Sequence, residues 1–175
     1  MKSKAKRWFI SDLHLNHDKM LELDDSGQPY RPFSSIDEMN NTILENINEC
    51  VKDDGRLFVL GDVLFKPATS YHLLERLPKR SILILGNHDT LTSNNYYLNY
   101  FKKVVLWINF EEYDFVCSHV PLMPEMFRNV AFNVHGHTHK HKLNDARYIN
   151  VCVENTDYKP VSLEQILDEI NSRRR

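Results

Sequence analysis

Five times in this chain a short apolar run of strand character stops abruptly on aspartate, asparagine or histidine. Arg7-Trp8-Phe9-Ile10-Ser11 leads into Asp12-Leu13-His14, Arg56 to Leu60 into Gly61-Asp62, and Ser81 to Leu85 into Gly86-Asn87-His88-Asp89. Tyr113 to Ser118 ends at His119, and Ala131 to His135 at Gly136-His137-Thr138-His139. Runs rich in Val, Ile, Phe and Tyr read as strands. In open α/β sheets ligands gather outside the carboxyl ends of strands, where the loops converge. The pattern therefore constrains the fold to one in which five strand ends deliver Asp, Asn and His to one place. Three of the five glycines, Gly61, Gly86 and Gly136, immediately precede Asp62, Asn87 and His137. A residue without a Cβ lets the backbone turn sharply there or approach a neighbour closely.

Two further runs, Val104 to Phe110 and Tyr148 to Val153, extend the set, and the stretch 104–118 reads as an antiparallel hairpin around a short acidic turn. Helices intervene. Ser35 and Glu38 make a capping box ahead of Ile36, Met39, Ile43, Leu44, Ile47 and Val51 at helical spacing. A second helix is expected over Tyr71 to Leu77, closed by Pro78, and a third after the Ser162/Gln165 capping pair, with Ile166 and Ile170 on one face. Strand–helix alternation followed by hairpins predicts an α/β fold with mixed sheets, two of them packed face to face. No repeat, low-complexity tract or long linker divides the chain, so residues 1–175 read as a single domain.

A chain of 175 residues can bury a core without covalent staples. No apolar run reaches membrane-span length and no signal-peptide pattern opens the sequence, so a cytoplasmic protein without a membrane partner is expected. Cys50, Cys117 and Cys152 are dispersed, without C-x-x-C spacing, and lie in or beside apolar runs. That excludes a disulfide framework or thiolate zinc site and predicts buried, inert thiols. A net charge of −2 offers no general attraction to polyanions. The basic clusters Lys2 to Arg7 and Arg173 to Arg175 read as solvated termini.

Asp12, His14, Asp62, Asn87, His119, His137 and His139 form a nitrogen/oxygen donor set without thiolate. Such a set suits Mn²⁺, with Fe, Zn or Ni as alternatives, rather than Ca²⁺, which takes oxygen ligands. Seven ligands exceed the needs of one ion but serve two divalent ions if one carboxylate bridges them. Two ions roughly 3.5–4 Å apart are the usual device for in-line displacement at phosphorus. With only Asp12 and Asp62 returning negative charge, about two positive charges remain to attract a phosphate ester and ionise a bridging water to hydroxide. His88 is expected to protonate the leaving oxygen and Asp89 to orient His88. His17 has two readings, a group reaching the phosphate and a loop histidine in solvent. Arg31 likewise reads as a phosphate clamp, because guanidinium matches phosphate geometry, or as a surface salt bridge. His72, His135 and His141 read as structural or solvated.

The ordered blocks Asp12-Leu13-His14, Gly61-Asp62, Gly86-Asn87-His88-Asp89, His119 and Gly136-His137-Thr138-His139 resemble the calcineurin-like metallophosphoesterase superfamily from Ile10 to His139. The resemblance implies a β-sandwich of two mixed sheets flanked by helices. It also implies that Asp12, His14, Asp62 and His139 hold one ion and that Asp62, as bridge, holds the other with Asn87, His119 and His137. Ser11 to His17, Arg31-Pro32-Phe33 and Tyr158 to Val161 are similar to small bacterial and phage phosphoesterases of that superfamily. Gly61 to Lys66 and the terminal Asp89 depart from the blocks of protein serine/threonine phosphatases, which speaks against that activity. The expected substrate is a small phosphodiester or phosphomonoester, nucleotides among them. The alternatives are a metal-dependent nuclease and a non-catalytic scaffold. The superfamily's exonucleases append regions for which little chain remains after His139, and scaffolds lose ligands that are all present here.

Overall fold

The computed structural model describes residues 5–24, 26–52, 55–89 and 94–174; Lys2, Lys4 and Arg175 of the basic clusters lie outside them. The strands among these residues are β1 (Arg7–Ile10), β2 (Arg56–Leu60), β3 (Ile82–Ile84), β4 (Lys103–Val105), β5 (Trp107–Phe110), β6 (Phe115–Ser118), β7 (Phe132–His135), β8 (Tyr148–Asn150) and β9 (Val161–Ser162). They form two sheets, ordered β4-β3-β2-β1-β9 and β5-β6-β7-β8. In the first, β1 to β4 run parallel and β9 is antiparallel to β1. In the second, β5 is antiparallel to β6 and the remaining pairs are parallel. The helices are α1 (Ile36–Cys50), α2 (Pro67–Ser70), α3 (Asn94–Tyr97) and α4 (Leu163–Arg173).

Period-two alternation sorts the strand residues between two cores. Along β2, Phe58 and Leu60 face the second sheet while Leu57 and Val59 face the helices. Between the sheets Phe9 stacks on Phe58 at 5.0 Å and meets Phe110 and Phe115 edge-on, the preferred geometries for aromatic quadrupoles. On the far side of the first sheet, Met39, Ile43, Leu44 and Ile47 of α1 cover Ile10, Val59 and Leu83. α4 adds Ile166 and Ile170 to the inter-sheet core. Each large side chain buried this way contributes roughly 1.5–3 kcal/mol. This is the expected sandwich of two mixed sheets with flanking helices. Among the described residues no helix is long and apolar enough to cross a membrane.

Several elements differ from expectation. The run 104–110 is not one strand: it breaks at Leu106, with β4 pairing to β3 and β5 pairing to β6 in the other sheet. A straight strand cannot pair in both sheets, so the chain turns where it crosses between them. The hairpin β5–β6 forms as expected, turning through Glu111–Tyr113. The helix expected over 71–77 is α2 followed by a 3-10 segment, Tyr71–Arg76. Ser35 caps α1 by accepting from the Glu38 N–H, but the Glu38 carboxylate turns to the Ser34 N–H and hydroxyl, so only half of that capping box exists. The Ser162/Gln165 box is complete. The last expected strand stops at Asn150, and Val151 and Val153 then hydrogen-bond to Ser11 of the first sheet. That suture brings the end of β8 against the end of β1.

Candidate metal centre

Asp12 and His14 follow β1, Asp62 follows β2 and Asn87 follows β3, all in the first sheet; His119 follows β6, and His137 and His139 follow β7, in the second. The donors therefore meet across the seam between the sheets. Asp12, His14, Asp62, His137 and His139 have φ values of 58°, 47°, 51°, 69° and 47°. The left-handed region is open to Asp, Asn and His more than to other side-chain-bearing residues. Each such residue still costs on the order of 1 kcal/mol, which the surroundings must offset. They do so partly through backbone bonds from Asp12 N–H to the Gly61 carbonyl (3.0 Å) and from His14 N–H to the Asp62 carbonyl (2.9 Å). Gly61 itself has φ +85°. At Gly136 the reason is contact: an added Cβ would lie 1.8 Å from Ser11 Oγ, so only glycine lets the β7 loop close on β1.

Two donor groups result. Ligand atoms of Asp12, His14 and His139 lie within 4.8 Å of one another, and so do those of Asp62, His119 and His137. Asp62 stands between the groups, its Oδ2 3.7 Å from His14 Nε2 and 3.4 Å from His119 Nε2. Asn87 Oδ1 is 2.9 Å from His119 Nε2. All seven expected ligands thus come together. Asp12 Oδ2 accepts from Ser11 Oγ (2.6 Å), His137 N–H (2.8 Å) and Cys152 Sγ (3.1 Å), while buried Oδ1 has no hydrogen-bond partner. His14 Nε2, 3.7 Å from Oδ1, has none either. Buried lone pairs facing one another without a donor between them are costly unless a cation lies among them. The residues fit a pair of divalent cations.

The outer nitrogens of the rings are also held. His119 Nδ1 lies 2.7 Å from the Leu60 carbonyl, His14 Nδ1 3.1 Å from His17 Nδ1, and His139 Nδ1 2.9 Å from Glu154 Oε1. A proton fixed on Nδ1 leaves Nε2 free to ligate. Burial disfavours a charged His119, yet its hydrogen bond to Asp62 and the field of Asp12 outweigh that and lift it to about 9. Burial would raise the Asp12 carboxyl, but its contact with His14 and the His119 and His139 charges hold it well below the carboxylate range. The Asp12 and Asp62 carboxyls are thereby kept ionised, as metal ligands must be.

His88 is one-third exposed at the mouth, its Nε2 3.9 Å from Asp62 Oδ2, and packs against His14. Asp89 is not behind it, which corrects the sequence-based expectation. It is fully buried and accepts from the N–H groups of Asp62, Val63 and Gly86 and from the Tyr97 hydroxyl. His17 is not a loop histidine in solvent: it is buried, pushed down to about 4 by burial and by the neighbouring His14, and stacked on Phe65 at 3.6 Å. Arg31 is neither a phosphate clamp nor a surface residue. It is fully buried and spends its donors on Glu154 and on the Asp12 and Leu13 carbonyls. His135 is buried and structural, whereas His72 and His141 are exposed. Cys117 and Cys152 are buried, as expected, and Cys50 partly so. Ser11, Cys152 and Glu154 join the site without a local motif announcing them. Only the pairing of residues 151–153 with Ser11, beyond the end of β8, could have pointed to the last two.

Residues 5–173 match the family of calcineurin-like phosphoesterases. An uncharacterized protein of Methanocaldococcus jannaschii, MJ1445, is 32% identical over 175 aligned residues, covering 94% of this chain and 91% of that one. The gene 66 protein of Mycobacterium phage L5 is 30% identical over 89 residues, 49% of this chain and 40% of its own. Among solved structures, the Aquifex aeolicus protein of unknown function AQ665 superposes with a TM-score of 0.72 at 26% identity, covering 93% of this chain and 97% of that one.

Proposed function

The chain belongs to the calcineurin-like phosphoesterase family, and on that premise we propose that it is a binuclear metal-dependent phosphoesterase acting on phosphodiesters or phosphomonoesters of nucleotides or other small molecules. The observation that carries this reading is the position of Asp62, whose carboxylate stands between two three-residue donor groups. Asp12, His14, Asp62 and His139 would hold one divalent ion, and Asp62, Asn87, His119 and His137 the other, manganese being the first expectation for this donor set. When bound, such a pair supplies the Lewis acidity that grips a phosphate ester and activates water.

The chain's own residues supply the rest. Asp62 accepts the His88 N–H at 2.9 Å, which fixes the His88 backbone beside the ions' position. The His88 ring is partly exposed and flanked by His14 and Phe65, and in this reading it would give a proton to the departing ester oxygen. Glu154 neutralises Arg31, so any surplus positive charge offered to a phosphate would be that of the bound ions. The convergence of all seven candidate ligands supports this reading over a non-catalytic scaffold.

Chelator-treated protein, reloaded with MnCl2, should hydrolyse a chromogenic aryl phosphodiester, and EDTA should abolish turnover. His88→Ala should keep its manganese and lose roughly 10²–10⁴-fold in kcat on an alkyl ester, whose poor leaving group needs a proton. It should lose less on the aryl ester. Equal rates with and without metal would refute the reading. Labelled single- and double-stranded DNA in the same assay separates a nuclease from a small-molecule enzyme.

A further inference from the structure

Arg31 is the largest fully buried side chain among the described residues, and its partner Glu154 lies 123 positions away. Arg31 Nε and Nη2 reach Glu154 Oε1 at 2.9 and 2.7 Å. Nη2 also donates to the Asp12 carbonyl at 2.6 Å and Nη1 to the Leu13 carbonyl at 2.8 Å. The same Oε1 accepts from His139 Nδ1 at 2.9 Å. One guanidinium and one carboxylate oxygen thus link the loop after β1 to the loop after β7.

Stability alone does not account for this arrangement. Taking both charges out of water costs several kcal/mol per ion, and apolar residues of similar volume commonly serve a core as well or better. What the pair does is geometric. Asp12 and His14 sit in left-handed backbone, so the carbonyls between them have no regular ladder to join, and Arg31's planar fork supplies their donors. Glu154 meanwhile keeps the His139 proton on Nδ1 and its Nε2 lone pair toward Asp12 and His14. The other donor group is held by different contacts: His119 Nδ1 lies against the Leu60 carbonyl, Asp62 is tied through its N–H to Asp89, and neither Arg31 nor Glu154 hydrogen-bonds to it.

We propose that Arg31 and Glu154 are positioning residues for the ion held by Asp12, His14 and His139, and that they act on that ion selectively. The proposal rests on the two-ion reading above. Isothermal titration of chelator-treated full-length protein with MnCl2 tests it, alongside circular-dichroism melts of the metal-free variants. Wild type should take up two ions. Glu154→Ala should weaken one by roughly 10–100-fold and leave the other unchanged. Glu154→Gln, which keeps a carbonyl oxygen for His139 Nδ1, should recover part of the loss, and Arg31→Lys should weaken the same ion because an ammonium cannot replace the fork. If Glu154→Ala fails to fold, the Gln and Lys variants decide the matter by the same criterion. Folded variants with wild-type affinities, or with both ions weakened alike, overturn the proposal. Wild type that binds no pair of ions overturns the proposed function itself.

Discussion

At Asp89 one carboxylate gathers the N–H groups of Asp62, Val63 and Gly86, and thereby ties the loop after β2 to the loop after β3. Burial pushes this carboxyl up, against the pull of those N–H donors. Asparagine in its place would turn an NH2 toward donors, leaving at least one buried group unpaired at about 1–3 kcal/mol. Asp89→Asn should therefore lower the urea midpoint of metal-free protein by about that much, whereas His88→Ala, at the partly open mouth, should leave it nearly unchanged. If Asp89 served only to orient His88, both substitutions would leave the midpoint nearly unchanged. In the sequence, Asp89 stands beside His88 and reads as its orienting partner; the turn that sends the two side chains in opposite directions is not visible there. The role of Arg31 is hidden in the sequence for a similar reason. Its acceptors are main-chain carbonyls and a residue far along the chain, and neither leaves a local mark.

The elements matter because the site lies on the seam between two sheets. β1, β2 and β3 present Asp12, Asp62 and Asn87, while β6 and β7 present His119, His137 and His139. At Gly136 the two halves approach closely because a side chain is absent. A methyl at Gly136 would strike Ser11 Oγ and lie 2.5 Å from Asp12 Oδ2, both in the heart of the β1 loop. Forcing extra volume into such a contact costs typically 1–3 kcal/mol. Gly136→Ala should lose about that much stability by denaturant titration, and should lose manganese uptake out of proportion, because Asp12 itself must move. Wild-type manganese affinity in Gly136→Ala would mean that the two loops have slack that the contact distances deny. Strand identity was legible from apolar runs and their polar stops. The break at Leu106 was not, because residues 103–110 are strand-forming throughout and only the existence of two separate sheets makes the chain turn.

For the whole molecule, ions held by these ligands would act as part of the fold, because the ligands come from loops of both sheets. Saturating Mn²⁺ at about 100 times its dissociation constant should stabilise the native state by roughly 2.7 kcal/mol, which for a chain of this length raises Tm by about 5–10 °C. The gain should depend on pH with a definite sign. Metal-free His119 titrates at about 9 and is protonated below that. A ring that must offer Nε2 to a cation has to release that proton first, so the manganese-induced rise in Tm should shrink as pH falls from 9 toward 6. A rise independent of pH would mean that His119 is not a ligand. The chemical kind of site belongs to the sequence by itself, since which atoms can donate, how many there are and which strand ends they follow are properties of residue type and local periodicity. Those same properties determined the layered α/β sandwich. Only the tertiary structure decided that Arg31 and Asp89 brace loops instead of meeting substrate. The physical reason is that hydrogen bonds to backbone groups and pairings across more than a hundred residues depend on where strands dock, and no local pattern encodes that.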